Sequence, residues 1–207
     1  MSHTTFFYTG NVDSLASKML NSGTEILNRV VEHVTNEADS DFDAQEIDKL
    51  KEFVERVCSG ELPIGDTEQD WLDALRWICE VEMNSFPLEP FTDIRRIGLL
   101  QAFGIWPVLK YSQPPFPVPA TIEQAIGVGF LSHAQIEAVA LPALNELEKS
   151  HSLPSNLVAS QIWSGVMTIR NLLSPEEKEY LPFAQSEFRY LLETAHGEGT
   201  DVVAIGL

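Results

Sequence analysis

The chain has 207 residues, 44% of them hydrophobic, and carries 31 Asp and Glu against 13 Lys and Arg, a net charge of -18. That length suits one domain with a sizeable core, and the apolar content is too high for a disordered acidic chain. The charge repels phosphate backbones and anionic bilayers, so it argues against nucleic-acid or membrane partners and favours a basic protein, a cationic ligand or simple solubility.

The charge is uneven. Residues 61–93 hold nine acids and one base, whereas residues 94–131 hold one acid and three bases. An acidic protein thus contains one aromatic, proline-rich and slightly basic stretch. Met1 to Phe6 lack a basic region followed by an apolar run, so no export signal is expected. Cys58 and Cys79 each sit in an apolar helical pattern and read as buried free thiols of a reducing compartment. The expected location is the cytoplasm.

In chain order, His3 to Thr9 are rich in Thr, Phe and Tyr and predict a first strand. Leu15, Met19 and Leu20 fit a short helix. Ser22-Gly23-Thr24-Glu25 has capping-box spacing and opens a second one, with Leu27, Val30, Val31 and Val34 on its apolar face. An acidic link, Glu37 to Asp43, precedes a helix whose face is Ile47, Leu50, Val54 and Val57, with Gly60 as its C-terminal cap. Asp66-Thr67-Glu68-Gln69 starts a helix that turns Trp71, Ala74, Leu75, Ile78 and Val81 to one side. Pro87 and Pro90 bound a break.

Thr92 can cap a helix through Ile94, Ile97 and Leu100. Prolines 107, 114, 115, 117 and 119 then forbid regular helix or central strand across 107–119, which is the place a sub-boundary would fall. Trp106, Tyr111 and Phe116 would pin that connection to the body of the domain. Ser132-His133-Ala134-Gln135 opens a helix to about Lys149 that Pro142 kinks or interrupts. Ser155 begins another, and Ser174-Pro175-Glu176-Glu177 a third, which Pro182 divides. Ala184, Phe188, Leu191, Leu192 and Ala195 form the last helical face, and Asp201 to Ile205 a terminal strand. An isolated strand has no home, so the first and last strands should pair, with a piece of 105–112 as an optional third. The expected fold is one mostly helical α+β domain over 1–207, with a small sheet built from the N- and C-terminal strands.

Chemical motifs are sparse. Asp39-Ser40-Asp41-Phe42-Asp43 imitates the start of a calcium loop, but Ala44 stands where Gly is needed and Leu50 where a bidentate Glu is needed. Acids entering a helix N-terminus explain it better. His33 with Glu37, and His133 with Glu137, are single i, i+4 pairs without the further ligands zinc requires. Gly127-Val128-Gly129 lacks the rest of a dinucleotide loop and reads as a turn. Asp70 and Asp73 could supply paired carboxylates, although on a polar helix face they are usually solvated. No catalytic residue, metal site or cofactor is assigned. Arg95, Arg96, Trp106, Tyr111 and His133 form the candidate set for a ligand or partner, because cations and aromatics enrich binding hot spots.

Several short stretches resemble a family of uncharacterised bacterial proteins, a domain of unknown function. They are Val12-Asp13-Ser14-Leu15, the apolar helix Asp70–Cys79 before Phe86-Pro87, Phe116-Pro117-Val118-Pro119, Ile126-Gly127-Val128-Gly129-Phe130-Leu131-Ser132, and a last helix running into a Gly-bounded strand. The resemblance implies a single domain with terminal strands and carries no activity. The leading functional expectation is a binding module, in concrete form an acidic immunity-type inhibitor of a basic toxin or enzyme. The alternative is an enzyme or small-molecule binder near 94–131, using Arg95, Arg96, Tyr111 and His133.

Overall fold

Both chain ends carry Val-, Phe- and Tyr-rich runs that cannot satisfy their backbone groups alone. In the computed structural model they pair with each other. The structure describes residues 4–36, 42–63, 67–87, 109, 114–118, 127–149 and 174–207. Strand β1 (Thr5–Gly10) lies antiparallel to the last strand, β4 (Asp201–Gly206), from Thr5 opposite Gly206 to Gly10 opposite Asp201. Two further strands complete the sheet, β2 (Asn84–Phe86) beside β1 and β3 (Gly127–Leu131) beside β4, in the order β2-β1-β4-β3. The expected small sheet of the terminal strands is therefore present. The Gly127-Val128-Gly129 turn is corrected: it is the beginning of β3, antiparallel to β4, with Gly129 opposite Ala204 and Phe130 opposite Val203.

Period-2 alternation gives the sheet two apolar faces. Tyr8, Val203, Ile205 and Phe130 join the core made by helices α1 (Val12–Asn36), α2 (Ala44–Cys58) and α3 (Glu68–Glu82). The alternate row runs Phe86, Phe7, Ala204, Gly129 across the four strands. There Phe7 meets Phe188 and Phe86 meets Tyr190, at 6.4 and 5.7 Å between ring centroids. Those partners come from the final helix. Small residues at 204 and 129 leave room for it to lie close.

The second helical layer begins with α4 (His133–Gln135), widens into a π-helical turn over Ile136–Ala140, and resumes as α5 (Leu141–Lys149). In the widened turn the N–H of Leu141 reaches back to the carbonyl of Ile136. Pro142 has no N–H and its ring clashes with the preceding turn, so the interruption expected there takes this form. The last helix, α6 (Pro175–Glu198), runs through Pro182 without dividing, which corrects that expectation. Pro182 is exposed, while Ala184, Phe188, Leu191, Leu192 and Ala195 are fully buried, and their shared face outweighs one missing backbone bond.

The helix ends follow local rules. Asp43 accepts from the N–H groups of Gln45 and Glu46 while Glu46 accepts from the N–H of Asp43, a closed capping box that accounts for the acids there. Gly60 (φ 75°) ends α2 and Gly199 (φ 67°) ends α6. Each is followed by a bond from the next N–H to a carbonyl five residues back, Glu61 to Arg56 and Thr200 to Ala195. The break expected near Ser22 is a kink in α1, where Ser22 leaves helical geometry (φ -137°, ψ 31°). Gly23 lets the chain come close beside it: a Cβ there would stand 3.1 Å from Cβ of Cys58, which would have to shift to make room.

Two carboxylates tie these pieces together. Asp201 accepts from the N–H of Val12 (2.9 Å) and of His133 (2.8 Å), so it caps α1 and α4 at once. Glu82, at the end of α3, has a side chain only 2% exposed, with Lys18 Nζ at 2.9 Å and Arg29 in contact. Those two cations lie on either side of the Ser22 kink.

Replacing Asp201 removes the acceptor for two helix starts. Asp201→Ala is expected to lower unfolding free energy by about 2–3 kcal/mol, the sum of two ordinary caps. Asp13→Ala, a first-turn acid of α1 with no such bond, should cost under about 0.5 kcal/mol. Urea denaturation of both variants checks this, and equal losses would refute the double-cap reading.

Candidate functional site

The candidate site lies between α2 and α3. Their apolar faces point to the core, and between their outer edges opens a cleft of about 300 Å³, lined by Phe42, Glu46, Lys49, Leu50, Phe53, Asp70, Asp73, Arg76 and Trp77. Three aromatic rings form its apolar surface. Phe42 meets Trp77 edge to face at 6.0 Å. The chain leading into α3 is held by the Trp71 indole N–H, which donates to the Glu61 carbonyl at 2.9 Å.

The charged groups divide into those already engaged and those that are not. Lys49 Nζ bridges the helices to Asp70 at 2.8 Å, and that bond raises the lysine pKa. The Arg76 guanidinium lies 4.2 Å from the Phe6 ring centroid and 4.2 Å from that of Trp77, a cation held between two π faces. Asp73 differs. Burial is the main cause that pushes its carboxyl above the ordinary aspartate range, and Asp70 one turn away adds to the push. Arg76, a side-chain hydrogen bond with Gln69 and the charge of Lys49 act in the opposite direction without reversing it. Among the described residues Asp73 makes no ion pair within 4 Å. A desolvated acid on an aromatic cleft is the kind of group that gains most from an incoming cation.

A second, shallower opening of about 480 Å³ lies further along α3, between it and α1, lined by Arg29, Glu32, His33, Asn36, Glu80 and Val81. Trp77 separates the two. Its ring meets His33 of the second opening at 5.8 Å and Phe42 of the first at 6.0 Å. Arg29, although it lines this opening, pairs with Glu82 and Glu25. Behind Glu80 stands the buried Tyr8, whose phenol is pushed well above its usual range, first by burial and then by the charge of Glu80.

Of the residues singled out from sequence, Arg95, Arg96, Trp106 and Tyr111 lie outside the described residues. His133 is described and lines neither cleft. It is the first residue of α4, and its ring stacks on that of His196 at 5.1 Å and 11°. The Nδ1 atoms of both rings are buried without a hydrogen-bond partner. The Asp70 and Asp73 pair noticed in sequence does line the α2–α3 cleft. Lys49, Arg76 and Trp77 were missed as site residues. The available signal was the α3 stripe Asp70, Asp73, Trp77, Glu80, where acids alternate with an indole at helical spacing.

Cys58 and Cys79 are both buried and unbridged, as expected. Burial pushes the Cys58 thiol up to about 11, with the charge of Glu82 adding to it, and pushes Cys79 further. Both stay protonated and unreactive at neutral pH. Among the described residues no group of three or more His, Cys, Asp and Glu is arranged to hold a metal, and no helix is long and apolar enough to cross a membrane.

A family model described as Domain of unknown function (DUF7691) matches residues 1–164. No curated protein and no solved structure matches the chain.

The Asp73 environment makes a signed prediction. An acid whose folded pKa is raised binds its proton more tightly folded than unfolded, so it weakens the fold above its folded pKa and ceases to do so below the unfolded value. Asp73→Asn should therefore raise the melting temperature at pH 7. That advantage should fade as pH falls through the ordinary aspartate range, with the two proteins converging near pH 3. Thermal melts from pH 3 to 8 test it, and a gain independent of pH would show that charge burial is not the cause.

Proposed function

The chain belongs to the DUF7691 family of unknown function, and from that premise we propose that it is a binding module for a basic protein, with the α2–α3 cleft receiving a cationic side chain of the partner. The observation that carries this reading is Asp73: a mostly buried carboxyl, raised in pKa, beside Trp77, with the nearest described cations already engaged. A lysine or arginine entering there would place its stem on Phe42, Phe53 and Trp77 and its charge against Asp73.

The net charge of -18 supports the same reading at longer range, because it raises the encounter rate with a positively charged partner. An immunity-type inhibitor, covering the cationic active site of a toxin or enzyme, is the concrete form we favour. It works by occupying a surface and needs no chemistry of its own. Of the set proposed for an enzyme or small-molecule site near 94–131, only His133 is described, and its ring faces His196.

The test is a titration with amidated octalysine, followed by the Trp77 indole N–H resonance. Asp73→Asn should weaken binding about tenfold, equivalent to about 1.4 kcal/mol. Glu198→Gln, which removes one exposed charge at the end of α6, should change it less than twofold. Equal effects of the two substitutions would mean that bulk charge alone attracts the probe, and the cleft would lose its assignment.

A further inference from the structure

The binding surface extends past one cleft. Asp70, Asp73, Trp77 and Glu80 recur at three- and four-residue steps, which places them along one stripe of α3. Asp73 borders the first opening and Glu80 the second, with Trp77 between them in contact with a lining residue of each. Asp73 and Glu80 are seven residues apart, so a rise of 1.5 Å per residue sets them about 10 Å apart along the helix.

Neither carboxylate is bare, since Gln69 hydrogen-bonds to Asp73 and Glu80 faces the Tyr8 phenol, but no described cation pairs with either. Lys49 is taken by Asp70, Arg29 by Glu82 and Glu25, and Arg76 by the Phe6 and Trp77 rings. Among the described residues neither Asp73 nor Glu80 makes an ion pair within 4 Å. Glu32 adds a further acid at the second opening. Two acidic openings at a fixed spacing, parted by one indole, complement a partner segment with two cations at the same spacing and an apolar link between them.

We propose, resting on the reading above, that the partner segment is extended and carries two cations about 10 Å apart, one entering beside Asp73 and the other beside Glu80, with its backbone crossing Trp77. The two carboxylates then measure spacing as well as charge. Joining two weak contacts through a short stiff link strengthens both when the link matches the gap, and does nothing when it does not.

Blocked tetrapeptides test the spacing directly. In a polyproline II segment the first and fourth residues share a side and stand about 9 Å apart. Lys-Pro-Pro-Lys should therefore bind about tenfold tighter than Lys-Lys-Pro-Pro, which has the same charge at the wrong spacing, and tighter than Lys-Pro-Pro-Gln, which has one cation. Glu80→Gln should reduce Lys-Pro-Pro-Lys to the affinity of the single-cation peptide while leaving that peptide unchanged. Equal affinities of the two dibasic peptides would overturn the spacing and leave the single-cation cleft standing. If no tetrapeptide shifts the Trp77 resonance, while octalysine binding also ignores Asp73→Asn, the cleft reading itself falls.

Discussion

The fold depends on one carboxylate. Strands β1 and β3 flank β4 and both run antiparallel to it, so their C-terminal ends converge on the first residue of β4. Each is followed within two residues by a helix. Both therefore open beside Asp201, and its two oxygens serve one N–H from each. Helix starts leave N–H groups without intrahelical partners, and a negative charge there also suits the helix dipole. A single residue near the C-terminus thus fixes where both helical layers begin.

Glu82 plays a comparable part within the first layer. The kink at Ser22 would let the two halves of α1 move independently, but Lys18 from one half and Arg29 from the other meet on the same buried carboxylate. Buried ion pairs seldom add much stability over a well-packed apolar group, because desolvation offsets the attraction. Their effect here is geometric: α1 is held at one bend against α3, and Gly23 can approach Cys58.

These internal uses of charge shape the surface. With few cations in the chain, each one spent on a structural contact leaves acids elsewhere without compensation. Lys18, Arg29, Lys49 and Arg76 are all engaged by carboxylates or rings of the α1–α3 layer. What remains along α3 without an ion pair among the described residues is Asp73 and Glu80, on either side of an indole. An acidic chain whose cations are tied into contacts between its own helices is left with a directed negative face, and that is the physical basis for proposing a basic partner on this side of the molecule.

Much of the architecture was legible in the residue order. The capping box at Ser132, the terminal glycines at 60 and 199, the apolar stripes of α2, α3 and α6, and the pairing of the end strands follow from local spacing and from the need of an isolated strand for a neighbour. Edge strands β2 and β3 were not legible, because three residues around Ser85 and a glycine-broken run at 127–131 have too little periodicity to outweigh turn chemistry. Nor could Pro182 be read correctly, since only the buried face around Phe188 shows why the helix continues. The site was legible only as a fragment, Asp70 with Asp73. Arg76 and Trp77 follow on the same helix, but the site's other members come from α2 and from the approach to it, and side chains that far apart along the chain are brought together only by packing. The sequence alone determined which residues seek burial, where helices may start and stop, and the sign of the surface charge, because those are local or summed properties. Tertiary structure alone decided which cations are consumed internally and which acids are left facing a cleft, because compensation of charge depends on distances that no spacing along the chain encodes.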